Sequence, residues 1–360
     1  MNFKNILTLG ILLFTNLIIY PANYEIGAYY FAGWWRNPVP AHYLNGGIDW
    51  RPTYPQREPA IGWYDDMQNL VDEEILLASL GGITFFAFDY FTDRPAAPNF
   101  PGSQANNNNG LKFFLTSPNK HLMKFALMYS NATRFEITTT AEWDQYCNLW
   151  VYYFQDPQYL KINGKPIFII EGGTQIQGEF GGTLADGQQA LLTLRQKAQA
   201  AGFPDVLIGG GIPKPDVLGA QIKKGKNLGY NFLTAYSGNY DSLPIGANNY
   251  DTLLTILPDV WNIFDQHSTI GYAPITIEGH DRRPTGKVDE PYLTNKTPAL
   301  FNQQLQLAKT FIDQNPILWI DGTTKMVMIN AWNEIGEGSE LIPTVAEGNA
   351  YLSQVNLVFI

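Results

Sequence analysis

Eight short apolar runs, each followed by a polar, glycine-rich stretch, constrain this sequence more than any other feature. They are EIGAYY (25–30), ITFFAF (83–88), KFALM (124–128), IFII (167–170), VLIG (206–209), FLTAY (232–236), PITI (274–277) and MVMI (326–329). Being apolar at consecutive positions, such runs suit strands covered on both faces, as in parallel sheets wrapped by helices. Helical patterns lie between them. Residues 65–80 carry Met67, Leu70, Val71, Leu77 and Ala78 on one stripe, with Asp65 and Asp66 in the first turn and Gly81-Gly82 as the stop. Residues 188–201 stop at Gly202, and residues 298–314 start on Thr297 as cap with Pro298 in the first turn. Strand then helix, eight times in 360 residues, predicts the α/β class and a single (β/α)8 TIM barrel. A doubly wound open sheet is the alternative, disfavoured by the count of eight and the lack of a glycine-rich phosphate loop.

The chain begins with Lys4, an apolar run from Ile6 to Ile19, and Tyr20-Pro21-Ala22, the layout of a secretory signal. The expected organisation is therefore a signal peptide over 1–22 and a barrel over 23–360, secreted or periplasmic, with no stable membrane span once the signal is removed. A net charge of -10 argues against a nucleic-acid or anionic-membrane partner, which needs a basic surface to displace counterions. An oligosaccharide or polysaccharide fits better, and a monomer is expected. The single cysteine, Cys147, rules out an intramolecular disulfide and reads as a core residue. Four scattered histidines without ligand spacing predict no metal, and no cofactor is expected. Asn131-Ala132-Thr133 and Asn295-Lys296-Thr297 are glycosylation sequons.

Chemistry in such a barrel belongs at the strand exits. Two exit loops are long: 31–64, with Trp34, Trp35, Trp50, Trp63 and Tyr64, and 89–110, with Asp89 and the tract ANNNNG. The aromatic content marks the first as functional, and the asparagines mark 105–109 as mobile. At the end of the eighth run, MVMINAWNEIGEGSE places Glu334 and Glu337 three residues apart. In a helical or turn geometry their Cβ atoms lie about 5–6 Å apart. Like charges that close split each other's proton affinity, giving one acid and one base, as glycosidic cleavage requires. Asn333 can orient a hydroxyl and Trp332 can wall the site. A rival pair is Glu171 after run four with Glu278 after run seven, the exits used by many retaining barrel glycosidases.

The segments GAYYFAGWW, REPAIGWYD, GGITFFAFDYF, KFALMYSN, YLKINGKPIF, EGHDRRP and NAWNEIGEG fall in an order that resembles the glycoside hydrolase family 99-like proteins, which include endo-α-mannosidases and WbsX-like glycan enzymes. The resemblance covers residues 25–343 and is most specific at N-E-x-x-E-G. It implies a (β/α)8 barrel, retention of configuration and no metal. It also implies that Glu334 draws the proton from the substrate's own 2-hydroxyl, which attacks the anomeric carbon to give a 1,2-anhydro sugar, while Glu337 protonates the leaving oxygen and then activates water. The chain departs from the family pattern at Ile335, where Trp is common, at Ile342, where Glu is common, and at His280, where Gly-Trp-Asp is frequent.

Tyr29, Tyr30, Trp34, Trp35 and Trp63 are candidates to stack on sugar faces. Asp89 is a binding candidate, with an ion pair to Arg57 or Arg94 as its structural alternative. Asp281, with Arg282 and Arg283, can grip sugar hydroxyls or form a loop ion pair, and Tyr236 is placed to face the reacting centre. The expected function is a retaining glycoside hydrolase acting internally on an α-linked, mannose-like glycan. A glycosyltransferase-like enzyme and a non-catalytic glycan-binding barrel are the alternatives. Only 17 residues follow Pro343, so either a short last element or an incomplete chain is expected.

Overall fold

All eight apolar runs form parallel strands. The computed structural model describes residues 24–37, 39–92, 106–131, 135–238, 243–281, 284 and 290–360. The signal-like segment, Arg94, Arg282, Arg283 and part of the second long loop lie outside the described residues. The strands are β1 (Tyr24–Tyr30), β2 (Phe85–Tyr90), β3 (Lys124–Tyr129), β4 (Lys165–Ile170), β5 (Leu207–Gly211), β6 (Phe232–Thr234), β7 in two pieces (Gly271–Tyr272 and Ile275–Ile277) and β8 (Lys325–Asn330). Each pairs with its sequence neighbour, and β8 returns to β1 in a register that sets Gly27 opposite Met328.

Closure depends on β7. Its first piece pairs with β6 and its second with β8, so the two ends of the sheet are consecutive stretches of chain. The switch falls at Pro274, which has no N–H to give to a ladder. Ala273 N–H still reaches Leu233 O at 2.9 Å, while the Pro274 carbonyl accepts from Met328 N–H at 2.9 Å. Helices cover the outside: α1 (Gln68–Leu80), α2 (Asn109–Thr116), α3 (Thr140–Phe154), α4 (Leu184–Ala200), α5 (Ala220–Leu228), α6 (Leu253–His267), α7 (Pro298–Gln314) and α8 (Leu352–Phe359). With both faces covered, β2 is buried at every position, which explains its continuous apolar run.

The caps behave as the local sequence dictates. Thr183 and Asp186 form a capping box on α4, and Thr297 accepts from Leu300 N–H with Pro298 in the first turn of α7. The first helix differs from expectation: α1 starts at Gln68, with no acidic residue in its first turn. Asp65 is instead buried beneath the β1 loop, and Asp66 pairs with Arg36 at 2.9 Å. The short closing helix α8 packs beside the start of β1, with the Phe359 ring 5.5 Å from Tyr24. Cys147 is buried in α3. Among the described residues, no helix is long and apolar enough to cross a membrane.

Both long loops are ordered by packing where they are described. The first folds onto itself as a cluster of Phe31, Trp34, Tyr43 and Trp50, with Ile335 of the β8 exit completing it. In the second, Asn108 exchanges two amide hydrogen bonds with the Phe91 backbone and Asn109 opens α2. Asn108 thus anchors the described end of that loop.

Glu74 of α1 is buried and accepts a hydrogen bond from the Tyr30 hydroxyl. Burial raises its carboxyl from 4.5 to about 7, partly offset by that hydroxyl. The folded chain therefore holds a proton that the unfolded chain releases above pH 4.5, and stability falls as pH rises from there to about 7. Glu74→Gln should remove this loss. Urea unfolding is expected to show the variant gaining on the wild type by up to about 3 kcal/mol between pH 5 and pH 8. Equal differences at both pH values would contradict the burial account.

Candidate active site

The chain leaves β8 toward Glu334, which caps a 3-10 turn over Ile335–Glu337. Glu337 N–H donates to Glu334 O at 2.9 Å and Ser339 N–H to the same oxygen at 3.2 Å. Glu334 stands at the cap of the turn and Glu337 at its last residue, and both charges act on Asp89 and Tyr236. Gly338 ends the turn at φ +67°, and a Cβ there would come within 2.6 Å of the Asp281 side chain. That backbone geometry and that close approach both require glycine.

The turn is held from three directions. Trp332 N–H donates to Tyr29 O at 2.8 Å, tying the loop to β1. Arg57, 1% exposed, reaches the carbonyls of Ile335 and Gly336 at 3.4 Å, pairs with Asp281 at 2.9 Å and lies over the Tyr54 ring. Beyond the turn, Glu340 N–H donates to Glu278 Oε2 at 2.7 Å, and Glu278 Oε1 pairs with Lys296 at 2.9 Å.

Opposite the turn, the exits of β3 to β6 enclose a cleft of about 300 Å³ lined by Asn131, Glu171, Gln175 and Tyr236, among others. Its walls are close-set, since a Cβ on Gly211 would lie 1.9 Å from Glu171 O. The Tyr236 hydroxyl donates to Glu334 Oε1 and joins the cleft to the turn. Asp89 lies at the same focus, 4% exposed, with one carboxyl oxygen lacking a hydrogen-bond partner among the described residues. Burial pushes Asp89 well above the usual carboxylate range, and the negative charges of Glu334 and Glu171 push it further. Burial also raises Glu171, opposed by the Ser130 hydroxyl and reinforced by Glu337. Tyr236 is raised by burial and then by Asp89 and Glu334, so it stays a neutral donor. Among the described residues, no group of three His, Cys, Asp or Glu side chains is arranged to hold a metal.

The structure therefore brings Glu334, Glu337, Tyr236 and Asp89 together and redirects most of the other candidates. Both amide atoms of Asn333 are taken by the Phe31 backbone at 2.8 Å, so it splices two loops instead of orienting a hydroxyl. Trp332 is fully buried with its ring 5.2 Å from Phe86, inside the core and not on a wall. Tyr29 donates to Ala235 O at 2.9 Å and packs under Tyr236 at 4.9 Å, supporting that ring with no exposed face of its own. Tyr30 points away toward Glu74. Trp34 donates to Asn333 O at 2.7 Å inside the loop cluster, and Trp35 is buried as well. Of the five stacking candidates Trp63 alone keeps partial exposure, edge-on to Trp50.

Asp281 takes its ion-pair alternative, with Arg57, which is thereby unavailable to Asp89. The rival pair is separated: Glu171 lines the cleft, but Glu278 is completely buried in its pair with Lys296. Ile335 and Ile342 are both buried, so the departures at these positions alter packing beneath the turn. The Asn131 sequon is also excluded from modification, because that amide is buried and bonded to Gly172 and Glu179. Sequence reasoning missed Arg57 and Lys296 as supports of the turn. No local signal marks them, since their partners lie at sequence separations of 224 and 18 residues.

Solved structures share this architecture. A glycoside hydrolase-like protein is 16% identical, with 94% of each chain covered and a TM-score of 0.64. The GH99 endo-α-mannosidase from Bacteroides thetaiotaomicron is 13% identical, covering 92% of this chain and 96% of that one at a TM-score of 0.60. The same enzyme in complex with bis-tris propane gives 0.61, with 92% and 95% covered. No curated protein sequence matches. Residues 49–355 match the family described as Glycosyltransferase WbsX, and the chain belongs to that WbsX family.

Proposed function

We propose that the protein is a retaining glycoside hydrolase that cuts an α-linked, mannose-like glycan internally, outside the cytoplasm after loss of residues 1–22. The observation that carries this reading is the Tyr236 hydroxyl, which lines the cleft beside Glu171 and donates to Glu334, with Glu337 closing the same short turn. The likeness of fold to an endo-α-mannosidase supports the substrate class. Glu334 takes the proton from the sugar 2-hydroxyl, whose oxygen forms a bond to the anomeric carbon. The glycosidic bond breaks as Glu337 gives its proton to the departing oxygen. Glu337 then takes a proton from water, the new hydroxyl bonds to the same carbon as the bond from that carbon to the 2-oxygen breaks, and the proton on Glu334 returns to the 2-oxygen. Two displacements leave the configuration unchanged.

The family's description as a glycosyltransferase supports a second reading, in which a sugar hydroxyl replaces water in the second step. Digestion of a glycan library, with and without nucleotide sugars, separates the two. Hydrolysis products without any sugar donor are expected. Glu334→Gln and Glu337→Gln should each lower kcat/KM by about 10²–10⁴-fold. Activity retained in both but lost in Glu171→Gln would move the chemistry to the β4 exit.

Tyr236→Phe tests the link between cleft and turn. A phenol donating to a carboxylate favours its ionised form, so its loss makes Glu334 easier to protonate. The acidic limb of the kcat/KM profile should move up by about one pH unit. An unmoved acidic limb would remove Tyr236 from the proton inventory.

A further inference from the structure

Glu337 has a neighbour that the proposed reaction does not use. His280, at the exit of β7, is 4% exposed, and its Nδ1 stands 3.8 Å from Glu337 Oε2. The backbone that carries the imidazole is held at His280 and at the next residue. The His280 carbonyl accepts from Leu293 N–H at 2.6 Å, and the next residue, Asp281, is held by Arg57. A separation of 3.8 Å is too long for a direct hydrogen bond but within reach of an ion pair, and such contacts commonly tighten when substrate binds.

We infer that His280 and Glu337 hold one proton between them, making His280 a positioning residue that acts through Glu337. The kinetic half of this inference rests on Glu337 being the acid/base proposed above, whereas the sharing itself does not. An imidazolium beside a carboxylate favours the charged form of each, so the state with one proton on the pair spans a wider pH range than either group would alone. Within that state a fixed fraction carries the proton on Glu337, whatever the pH. Glu337 therefore remains able to donate until the pair loses its proton at the upper, histidine-like step. Each turnover takes one proton from Glu337 and returns one from water, so His280 ends as it began.

The described elements around the pair carry mainly acidic groups. Glu334 and Glu340 belong to the β8 loop and Glu278 and Asp281 to the β7 exit, while Asp89 of β2, Glu171 beyond β4 and Tyr236 beyond β6 act on Glu337. Among the described cations, Arg57 pairs with Asp281 and Lys296 with Glu278 and Glu340.

The chain has four histidines, His42, His121, His267 and His280, which makes a titration by NMR of ring-labelled protein tractable. His280→Gln assigns the resonance. In Glu337→Gln, His280 should titrate about one unit lower than in wild type, with the other three unmoved. Glu337→Ala gives the same reading should the first variant fail to fold, as judged by thermal melting. Coincident His280 midpoints in wild type and variant would overturn the sharing, whether or not any glycan is cleaved. On a glycan that the digestion identifies as substrate, His280→Gln should bring the basic limb of kcat/KM down by about one unit. A wild-type basic limb in that variant, alongside turnover that needs Glu337, would overturn the kinetic role alone.

Discussion

The site depends on a buried ion pair between Glu278 and Lys296. A carboxylate with no solvent exposure costs several kcal/mol unless its charge and both oxygens are matched. Here one oxygen meets Lys296 at 2.9 Å and the other the Glu340 N–H at 2.7 Å. Burial alone would lower the lysine's proton affinity, yet Glu278 and Glu340 hold it well above the ordinary value. Breaking such a pair strands a charge, so the β8 loop is fastened where β7 ends. Arg57 repeats the arrangement from the β1 side, with its guanidinium against two carbonyls of the turn. The acidic turn is thus located by charges that never touch the cleft.

This fixture explains why Glu278, at the exit of β7, is completely buried. A glutamate in the same place could face a substrate if its neighbours were neutral. Lys296 lies one residue before the cap of α7, and its ammonium reaches back into the barrel with its stem buried. Once that cation is present, Glu278 is a structural anion. In the proposed reaction the carboxylates come from the following strand, where the glycine at 338 lets the chain reverse tightly behind Glu334 and Glu337.

What the sequence made legible divides along physical lines. Strand existence, caps and helix ends depend on neighbours in the chain, and α7 begins at Pro298 behind Thr297, as its local pattern requires. The direction of a strand-exit side chain depends on parity and on what lies opposite. Tyr29 and Tyr30 are adjacent, so one turns into the barrel beneath Tyr236 and the other outward to Glu74. The aromatic loop has the composition of a sugar platform, but with so many rings in one segment they satisfy one another, leaving Trp63 partly exposed. The split of β7 was hidden for the opposite reason: PITI reads as one strand, and only the pairing of its flanks shows Pro274 as the closure point.

Asp89 feels the charges of Glu171, Glu334 and Glu337 beside the cleft, and such a group cannot be fully ionised while buried. The hydrogen bonds decide which members yield. Tyr236 has a single phenolic proton, and it is given to Glu334. Burial and the negative charges of Glu334 and Glu171 push Asp89 up, against the opposing effect of the Tyr236 hydroxyl, so Asp89 is the member driven toward its protonated form. In the proposed reaction the base, Glu334, is thus paired with a neutral phenol donor, the condition a base needs in a site crowded with acids.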